Sequence, residues 1–513
     1  MGLVGLSGHL VAVEAHLAAS LPGFTLVGLP DASLAEARDR VRAAVLSSGV
    51  PWPQRRITVN LSPASLPKAG AGFDLAIALA LLAAAGACDP AAVAGAVHVG
   101  ELGLDGRLRA VRGVLPAVVA AVASGRPTVV VPRANAAEAA LVPGADVRAA
   151  GSLAEVLARY GADVPVPELE DDHPEGPNAS APTRSRARTS APDLADVLGQ
   201  STARYGLEVA AAGGHHLLML GPPGAGKTML AERLPGLLPD LSDDDAVEVT
   251  AVHSVAGTFR PDDGLIRRPP FEDPHHTATP AAVIGGGSGL PRPGAASRAH
   301  RGVLFMDEAP EFSPRVLETL RQPLEKGELV IQRAGGAARF PARFQLVLAA
   351  NPCPCGRAVG RGLDCTCSAL ARRRYLGRLS GPLLDRIDIQ LEVLPVRRAE
   401  VAAADDGLGV VTESTAQVAS RVASARAAAR GRLSGTPWAT NAEVPGTWLR
   451  QRTSAAARAD VERALDRGAL TLRGADRVLR VAWTVSDLAG RGAPDRGDVG
   501  RALLLRSRGQ VGA

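Results

Sequence analysis

The hydrophobic and polar positions of the first 165 residues alternate between the periods of strands and helices. Residues 8–16 and 56–61 show strand-like alternation, whereas residues 31–48 repeat their apolar positions at the spacing of an amphipathic helix. Residues 73–87 are almost entirely apolar, which predicts a buried helix. We therefore predict that residues 1–165 form an α+β or α/β domain.

Residues 166–190 break this pattern, because they are rich in proline, serine and charged residues. Such a segment buries too little apolar surface to fold alone, so we predict a flexible linker. The linker contains Arg184, Arg186 and Arg188, which suit either a nucleic-acid-binding arm or a plain solvated segment.

An apolar stretch, residues 217–220, predicts a strand that is followed by a glycine-rich motif and a helix. The motif reads Gly221, Pro222, Pro223, Gly224, Ala225, Gly226, Lys227 and Thr228. Its glycines allow backbone N–H groups to surround phosphate oxygens at a helix N-terminus, where the helix dipole favours anions. We expect Lys227 to neutralise the β- and γ-phosphates of ATP, and Thr228 to bind Mg²⁺.

Two further apolar strands end in polar residues that suit the hydrolysis of a bound nucleotide. Residues 303–306 precede Asp307 and Glu308, for which we predict Mg²⁺ binding and activation of the attacking water, respectively. Residues 344–350 precede Asn351, which either helps to place that water or caps the end of the strand. The stretch that carries these motifs therefore predicts one ATPase domain.

The last part of the chain, residues 396–513, is rich in alanine and arginine and shows helical periodicity without a clear strand pattern. Residues 415–432, 454–467 and 473–488 each predict a helix. We therefore predict a small helical bundle.

Composition and charge indicate an ordinary globular protein with a mildly basic surface. The 513 residues are 46% hydrophobic and 21% charged, and the formal net charge is +5. This charge permits a nucleic-acid partner without requiring one. The longest apolar run, residues 75–88, is shorter than the ~20 residues of a membrane span, and the N-terminus lacks the features of a signal peptide. We therefore predict a cytoplasmic protein with no membrane partner.

Four of the five cysteines lie close together in the sequence, at Cys353, Cys355, Cys365 and Cys367. In a reducing cytoplasm such a cluster indicates metal ligation before disulfides, and four thiolates can bind a structural Zn²⁺. Because Cys-x-Cys spacing is tighter than the usual Cys-x-x-Cys, reduced thiols on a loop are the alternative. The fifth, Cys88, lies in an apolar helix and fits a small core residue.

Together these motifs resemble those of the magnesium-chelatase-like AAA+ family, and within it the ComM/YifB group. The resemblance covers essentially the whole chain. Its most specific segments, in chain order, are residues 274–279, 285–287, 291–294, 300–312, 351–356 and 379–388. Near the N-terminus, residues 21–31 and 59–75 also resemble this group.

The resemblance implies an α/β fold class with a P-loop AAA+ core at residues 191–395 and a C-terminal helical lid at residues 396–513. It also implies that residues 1–165 are an α+β domain similar to the C-terminal domain of Lon protease. The turn near Lys68 lacks the serine that is Lon's nucleophile, so we predict no peptidase activity. Lys68 then either contacts nucleic acid or is a surface lysine without a role.

A hexameric ring that binds ATP between subunits and moves on DNA is the architecture that the resemblance implies. Proteins of this group act as branch-migration helicases in DNA uptake and recombination during natural transformation. Arg386 matches their arginine finger, which stabilises charge on the γ-phosphate of a neighbouring subunit. Arg473 matches the second sensor of nucleotide state, with Arg477 as the alternative.

A β-hairpin before Asn351 is also expected, and in related rings such hairpins point at the central pore. Lys326, Arg333 and Arg339 would then follow a phosphate backbone, or else are solvated charges on a structural hairpin. Two other functions are open: a remodelling or regulatory ATPase that acts on protein partners, and a magnesium-chelatase-type subunit. The fused N-terminal domain and the cysteine cluster argue against the chelatase subunit.

Overall fold

The structure is a computed structural model that describes residues 1–28, 36–66, 68, 70–168, 192–287, 291–333, 336–358, 364–396 and 412–506. Most of the predicted linker, with Arg184, Arg186 and Arg188, lies outside the described residues. Among the described residues, no helix is long and apolar enough to cross a membrane.

The N-terminal part of the chain mixes short strands with helices. Its strands are β1 (Gly2–Val4), β2 (Ser7–His9), β3 (Ala12–Ala18), β4 (Gly23–Val27), β5 (Arg56–Ser62), β6 (Val97–His98), β7 (Glu101–Leu102), β8 (Leu108–Arg109), β9 (Thr128–Pro132) and β10 (Asp146–Ala150). Its helices are α1 (Ala37–Ser47), α2 (Asp74–Ala84), α3 (Pro90–Ala94), α4 (Val114–Ala123), α5 (Ala136–Ala139) and α6 (Leu153–Arg159). In one sheet β5 pairs antiparallel with β3 and parallel with β4, and in another β9 pairs in parallel with β6 and β10.

Three of the elements predicted in this part are confirmed, and one is wrong. The amphipathic helix predicted over residues 31–48 is α1, which begins at Ala37. The strand predicted over residues 56–61 is β5, and the buried helix predicted over residues 73–87 is α2. The single strand predicted over residues 8–16 is instead two strands, because β2 folds back on β1 whereas β3 pairs with β5. A left-handed glycine, Gly5, forms the turn between β1 and β2.

Lys68 is buried in this part of the chain, with only 1% of its surface exposed. Its ammonium donates a hydrogen bond to the carbonyl oxygen of Pro63. Both expectations for Lys68, a nucleic-acid contact and a surface lysine, are therefore wrong. The lysine instead folds back within its own turn, because its acceptor is only five residues earlier in the chain.

The middle of the chain is built on a five-stranded parallel sheet in the order β12–β15–β18–β11–β19. Its strands are β11 (Leu217–Leu220), β12 (Phe271–Glu272), β15 (Val303–Met306), β18 (Gln345–Ala350) and β19 (Ile389–Glu392). Two hairpins accompany the sheet: β13 (Gly285–Gly286) with β14 (Arg292–Pro293), and β16 (Glu328–Arg333) with β17 (Gly336–Pro341). Because neighbouring strands run in parallel, the C-terminal ends of β11, β15 and β18 lie side by side at one edge.

Helices surround this sheet, as its almost entirely apolar strands require. They are α7 (Ser201–Gly213), α8 (Lys227–Leu237), α9 (Asp243–Ala256), α10 (Pro280–Ile284), α11 (Ala295–Arg298), α12 (Pro314–Thr319), α13 (Arg321–Lys326), α14 (Ala369–Leu376) and α15 (Gly381–Leu384). Helix α9 also packs against the N-terminal part, where its Ala251 joins a cluster with Leu115 and Val118 of α4.

The C-terminal part of the described chain is helical, as predicted. Its helices are α16 (Thr415–Leu433), α17 (Gly446–Arg452), α18 (Ala455–Asp466), α19 (Leu472–Leu488) and α20 (Arg496–Leu504). Helices α16, α18 and α19 match the three predicted from periodicity. Val418 and Val478 from these helices share one core with Leu207 of α7 and with Val347 and Ile389 of the central sheet.

Candidate ATP site

The glycine-rich motif forms a loop between β11 and α8 at the carboxyl edge of the sheet. Lys227 is the first residue of α8, so the N-terminus of this helix faces the loop. Gly224 (φ +75°) and Gly226 (φ +89°) have left-handed backbone conformations that other residues rarely adopt. The N–H of Gly221 donates to the carbonyl oxygen of Ala350 at 3.1 Å, which ties the loop to β18. This is the strand–loop–helix arrangement that phosphate binding requires.

The Lys227 ammonium joins the loop to the neighbouring strand end. Its Nζ donates to the carbonyl oxygens of Gly221 at 2.7 Å and Pro222 at 2.9 Å, and to Oδ1 of Asn351 at 3.1 Å. Burial lowers the pKa of Lys227, and the two carboxylates that follow β15 act in the opposite direction. The side chain of Asn351 thus contacts the lysine of the glycine-rich motif, and both expectations for Asn351 stay predictions.

Thr228 and Asp307 lie together at the same edge. Oγ1 of Thr228 donates to Oδ2 of Asp307 at 2.7 Å, and the other carboxylate oxygen accepts the N–H of Glu308 at 2.8 Å. Hydroxyl and carboxylate oxygens are hard ligands of the kind that Mg²⁺ prefers, usually with several waters retained. These two side chains therefore fit the Mg²⁺ that would accompany ATP.

Glu308 has an unusual backbone and an unpredicted partner. Its φ is +51°, a left-handed conformation that costs free energy in a non-glycine residue. Oε2 of its half-exposed carboxylate lies 3.2 Å from Nδ1 of His276, in the segment that follows β12. Within the described chain, His276 is thus the side chain that lies against this carboxylate.

Arg386 and Arg473 do not contact the glycine-rich loop anywhere in the part of the chain that the structure describes. Arg386 forms an ion pair with Glu325 and donates to the carbonyl oxygen of Pro382. Arg473 has a side chain that is 79% exposed and lies 3.4 Å from Asp385.

Arg477 lies one helical turn after Arg473 on α19, and its environment is different. Its Nη1 lies 3.0 Å from Oδ1 of Asp388, a fully buried carboxylate that also contacts Nδ1 of His215. Burial opposes ionisation of Asp388, but the charge of Arg477 and the His215 contact outweigh it and hold the pKa of Asp388 below its usual value. Burial and the charges of neighbouring arginines, Arg477 among them, lower the pKa of Arg386.

Comparison with known protein families finds three magnesium chelatase descriptions along the chain. "Magnesium chelatase, subunit ChlI" matches residues 193–401, which hold the ATP site. "Subunit ChlI of Mg-chelatase" matches residues 13–135, and "Magnesium chelatase, subunit ChlI C-terminal" matches residues 412–506.

Several curated proteins are similar over nearly the whole chain. Protein Rv2897c of Mycobacterium tuberculosis is 52% identical over 98% of this chain and 97% of its own length. Competence protein ComM of Haemophilus influenzae is 41% identical over 95% of this chain and 92% of its own, and YifB of Escherichia coli is 41% identical over 94% and 92%. The chain belongs to the magnesium-chelatase-like family, in its ComM/YifB group. Its mixed α/β fold and parallel sheet are consistent with the P-loop AAA+ core of that family.

In this member of the ComM/YifB group, the predicted hairpin is present as β16 and β17. Lys326 is the last residue of α13 and so precedes the hairpin. Arg339 lies on β17 with a side chain that is 74% exposed, 3.5 Å from Glu328. The side chain of Arg333 lies outside the described part of the structure.

The four cysteines of this ComM/YifB-group chain meet immediately beyond Asn351. Sγ of Cys353 lies 3.3 Å from Sγ of Cys355 and 3.6 Å from Sγ of Cys365. All four sulfur atoms, including that of Cys367, lie within 4.8 Å of one another. The structure thus brings together the residues that were predicted as metal ligands.

Sequence reasoning gave two residues of the site no role in ATP binding or hydrolysis. One is His276, whose contact with Glu308 joins segments that are distant in the sequence. The other is Gln200, whose Nε2 donates to the carbonyl oxygens of Ala225 at 2.6 Å and Leu394 at 2.9 Å. No sequence motif points to Gln200. In the fold it has a left-handed backbone (φ +57°), which is unusual for a residue other than glycine.

Proposed function

We propose that this protein is an ATP-hydrolysing AAA+ ring motor that acts on DNA as a branch-migration helicase in DNA uptake and recombination. The observation that carries the ATPase is the meeting of three strand ends, where Lys227 contacts Asn351 and Thr228 contacts Asp307. The DNA substrate is supported by similarity along nearly the whole chain to a protein named competence protein ComM.

The residues divide the work of hydrolysis between them. ATP would bind with its phosphates at the N-terminus of α8, facing backbone N–H groups and Lys227. Mg²⁺, held by Thr228 and Asp307, would supply positive charge against the β- and γ-phosphates. Glu308 would take a proton from the water that attacks the γ-phosphorus while the bond to the β-phosphate oxygen breaks, releasing ADP and phosphate. Asn351 would hold that water in place.

Neighbouring subunits would complete each other's sites. The partner of Arg386 is Glu325, an exposed carboxylate, and a neighbour's γ-phosphate would replace it when a ring assembles. We therefore propose Arg386 as the arginine finger. Arg473 is proposed as the second sensor, because Arg477 is held by buried Asp388. Sites completed in this way imply a ring, proposed as a hexamer.

Each part of the chain has a proposed place in the motor. Residues 1–165 would be a Lon-protease-like domain without peptidase activity, joined by the linker at residues 166–190 to the AAA+ core at residues 191–395. Residues 396–513 would be the helical lid, and the core shared by α16, α19 and α7 supports this by linking the lid to the ATPase sheet. The proposed DNA substrate places the motor in the cytoplasm.

Contacts with DNA would be electrostatic and independent of sequence. The net charge of +5 permits a polyanionic partner, and the exposed guanidinium of Arg339 on β17 is suited to a phosphate backbone. The exposed ammonium of Lys326 precedes the same hairpin. Such contacts would weaken as salt increases, because binding releases counterions from the nucleic acid.

ATP hydrolysis with and without DNA tests this function. We expect single-stranded and four-way-junction DNA to stimulate hydrolysis at low salt, the stimulation to fade at higher salt, and Glu308→Gln to abolish it. Hydrolysis that ignores every DNA, without DNA binding at low salt, would overturn the DNA motor. That result would favour a remodelling ATPase acting on proteins, or a chelatase-type subunit if hydrolysis supports Mg²⁺ insertion into a tetrapyrrole.

A further inference from the structure

The cysteine cluster has the dimensions of a single four-thiolate metal site. In a tetrahedral zinc site with Zn–S distances of about 2.3 Å, neighbouring sulfur atoms are about 3.8 Å apart. The Sγ–Sγ distances among Cys353, Cys355 and Cys365 are 3.3, 3.6 and 3.7 Å, and all four sulfur atoms lie within 4.8 Å of one another. A disulfide needs about 2.05 Å, and all four cysteines are free thiols. The spacing therefore fits one small ion better than two disulfides.

We propose that Cys353, Cys355, Cys365 and Cys367 bind one structural Zn²⁺, and that this ion fixes the position of Asn351 against the glycine-rich loop. The coupling to hydrolysis rests on the proposed ATPase function, whereas the zinc site itself does not.

The first cysteine pair is physically continuous with the ATP site. Cys353 is fully buried two residues after Asn351, whose side chain accepts a hydrogen bond from Lys227. Gly356 then turns the chain with a left-handed backbone (φ +75°), and a Cβ added to it would lie 2.5 Å from Cδ of Pro223 in the glycine-rich loop. The cysteine loop thus packs directly against the loop that would hold the phosphates.

The second cysteine pair leads into α14, which returns to the same strand end. Ser368, directly after Cys367, caps α14 by accepting the N–H of Ala371 at 3.2 Å. Tyr375 of this helix is buried near the backbone of Asn351, and burial raises the pKa of Tyr375 to about 12. An ion shared by the two pairs would therefore fix the two segments that lie next to Asn351, which are the first cysteine loop and α14.

Metal content of the purified full chain is the first test. We expect one zinc per chain by mass spectrometry, and a tetrahedral cobalt–thiolate absorption spectrum after exchange of zinc for Co²⁺. Cys367→Ser should lose most of the metal, whereas Cys88→Ser, which removes a buried cysteine of the N-terminal part, should retain it. Cys367 is the better choice than Cys353, because the fully buried Cys353 is more prone to unfold the protein when changed.

Reversible removal of zinc from the unaltered protein tests the coupling without any substitution. Without DNA, chelation should lower kcat for ATP hydrolysis by about 10-fold, since small displacements of catalytic groups are costly, and added Zn²⁺ should restore it. A metal-free protein with four freely reactive thiols, or zinc retained in Cys367→Ser, would overturn the site. Unchanged ATP hydrolysis after complete removal of zinc would overturn the coupling. Neither measurement uses DNA, so the zinc proposal can be tested whether or not the protein acts on DNA.

Discussion

At the residue scale, the site depends on side chains that contact one another and the backbone of the glycine-rich loop. The Lys227 ammonium has three oxygen acceptors, and Thr228 is bonded to Asp307. These same side chains would make charge-assisted contacts with the phosphates and Mg²⁺. Such preorganisation holds the groups near their working positions without further side-chain ordering.

The contact between His276 and Glu308 leads to a prediction about turnover. His276→Ala removes the side chain that lies against the half-exposed carboxylate of Glu308, so that carboxylate should lose its orientation. We expect kcat for ATP hydrolysis to fall by about 10-fold, with KM for ATP changed by less than about 2-fold. Steady-state kinetics check this expectation, and His276→Gln, which retains a hydrogen-bond donor, should recover part of the loss. Unchanged kcat in His276→Ala would show that the contact has no part in hydrolysis.

At the element scale, the ends of β11, β15 and β18 were predictable because each motif is local in sequence. The apolar stretches predicted all three strands, and the ATPase motifs predicted the polar residue at the end of each strand. Their side-by-side order, and the meeting of Asn351 with Lys227, depend on sheet topology that no single segment contains. His276 and Gln200 were missed for the same reason, since their partners lie far away in the chain.

The errors in the N-terminal part also have a physical cause. The alternation of residues 8–16 does not show that the chain stops pairing with β1 and begins to pair with β5 within this segment. One strand was therefore predicted where two exist. Lys68 was expected either to contact nucleic acid or to be a surface lysine without a role, but it is buried and bonds to a backbone acceptor that only the folded turn provides.

The proposed arginine finger predicts activity in mixtures of two inactive variants. Arg386→Ala and Glu308→Gln should each hydrolyse ATP poorly alone. In an equal mixture, an interface with an intact Glu308 on one subunit and an intact Arg386 on the next should be active, and random assembly gives up to about a quarter of such interfaces. ATP hydrolysis in the mixture, with each variant alone as control, measures this. No recovery in a mixture that forms mixed rings would contradict action between subunits.

The hairpin β16–β17 makes a separate prediction about DNA. Arg339→Ala removes an exposed cation whose ion-pair partner, Glu328, is not a proposed catalytic residue, so ATP hydrolysis without DNA should be unchanged. DNA affinity should fall. In a plot of the logarithm of the DNA-binding constant against the logarithm of salt concentration, the magnitude of the slope should decrease by about one. Binding to labelled single-stranded DNA across a salt series measures both quantities. An unchanged slope would remove Arg339 from the DNA surface.

At the scale of the whole molecule, buried histidines predict that acid weakens the fold. Burial lowers the pKa of His98, His216 and His253 to about 4, from 6.5. Below pH ~6.5 these histidines are protonated in the unfolded chain but remain neutral in the folded chain. Their contribution to the free energy of unfolding is therefore complete above that pH and is lost as pH falls toward 4. By about pH 5 each histidine should lower the free energy of unfolding by about 2 kcal/mol.

Thermal unfolding near pH 7.5 and near pH 5 tests this prediction. His98, which lies 2.7 Å from the Tyr160 hydroxyl, is the residue to change. His98→Gln should narrow the difference between the two unfolding temperatures, whereas His9→Gln, at an exposed position on β2, should leave it unchanged. Equal pH sensitivity in both variants would contradict this account of acid stability.

The shared core of sheet and C-terminal helices gives the proposed motor a packed connection between the ATP site and the C-terminal helices. Helix α19 carries Arg473 toward the region of Arg386 and also packs with α7, directly behind β11 and β19 of the central sheet. A change in phosphate occupancy at the carboxyl edge of the sheet would therefore reach the C-terminal helices through packed elements. The proposed motor requires such a connection, because ATP hydrolysis must move parts of the molecule against bound DNA.

Branch migration of a synthetic four-way junction tests the central claim most directly. With ATP and Mg²⁺, the protein should convert the junction into two duplex products, and Glu308→Gln should bind the junction without converting it. Conversion that depends on ATP and on Glu308 would establish the DNA motor. Robust ATP hydrolysis with a bound but unconverted junction would contradict the account.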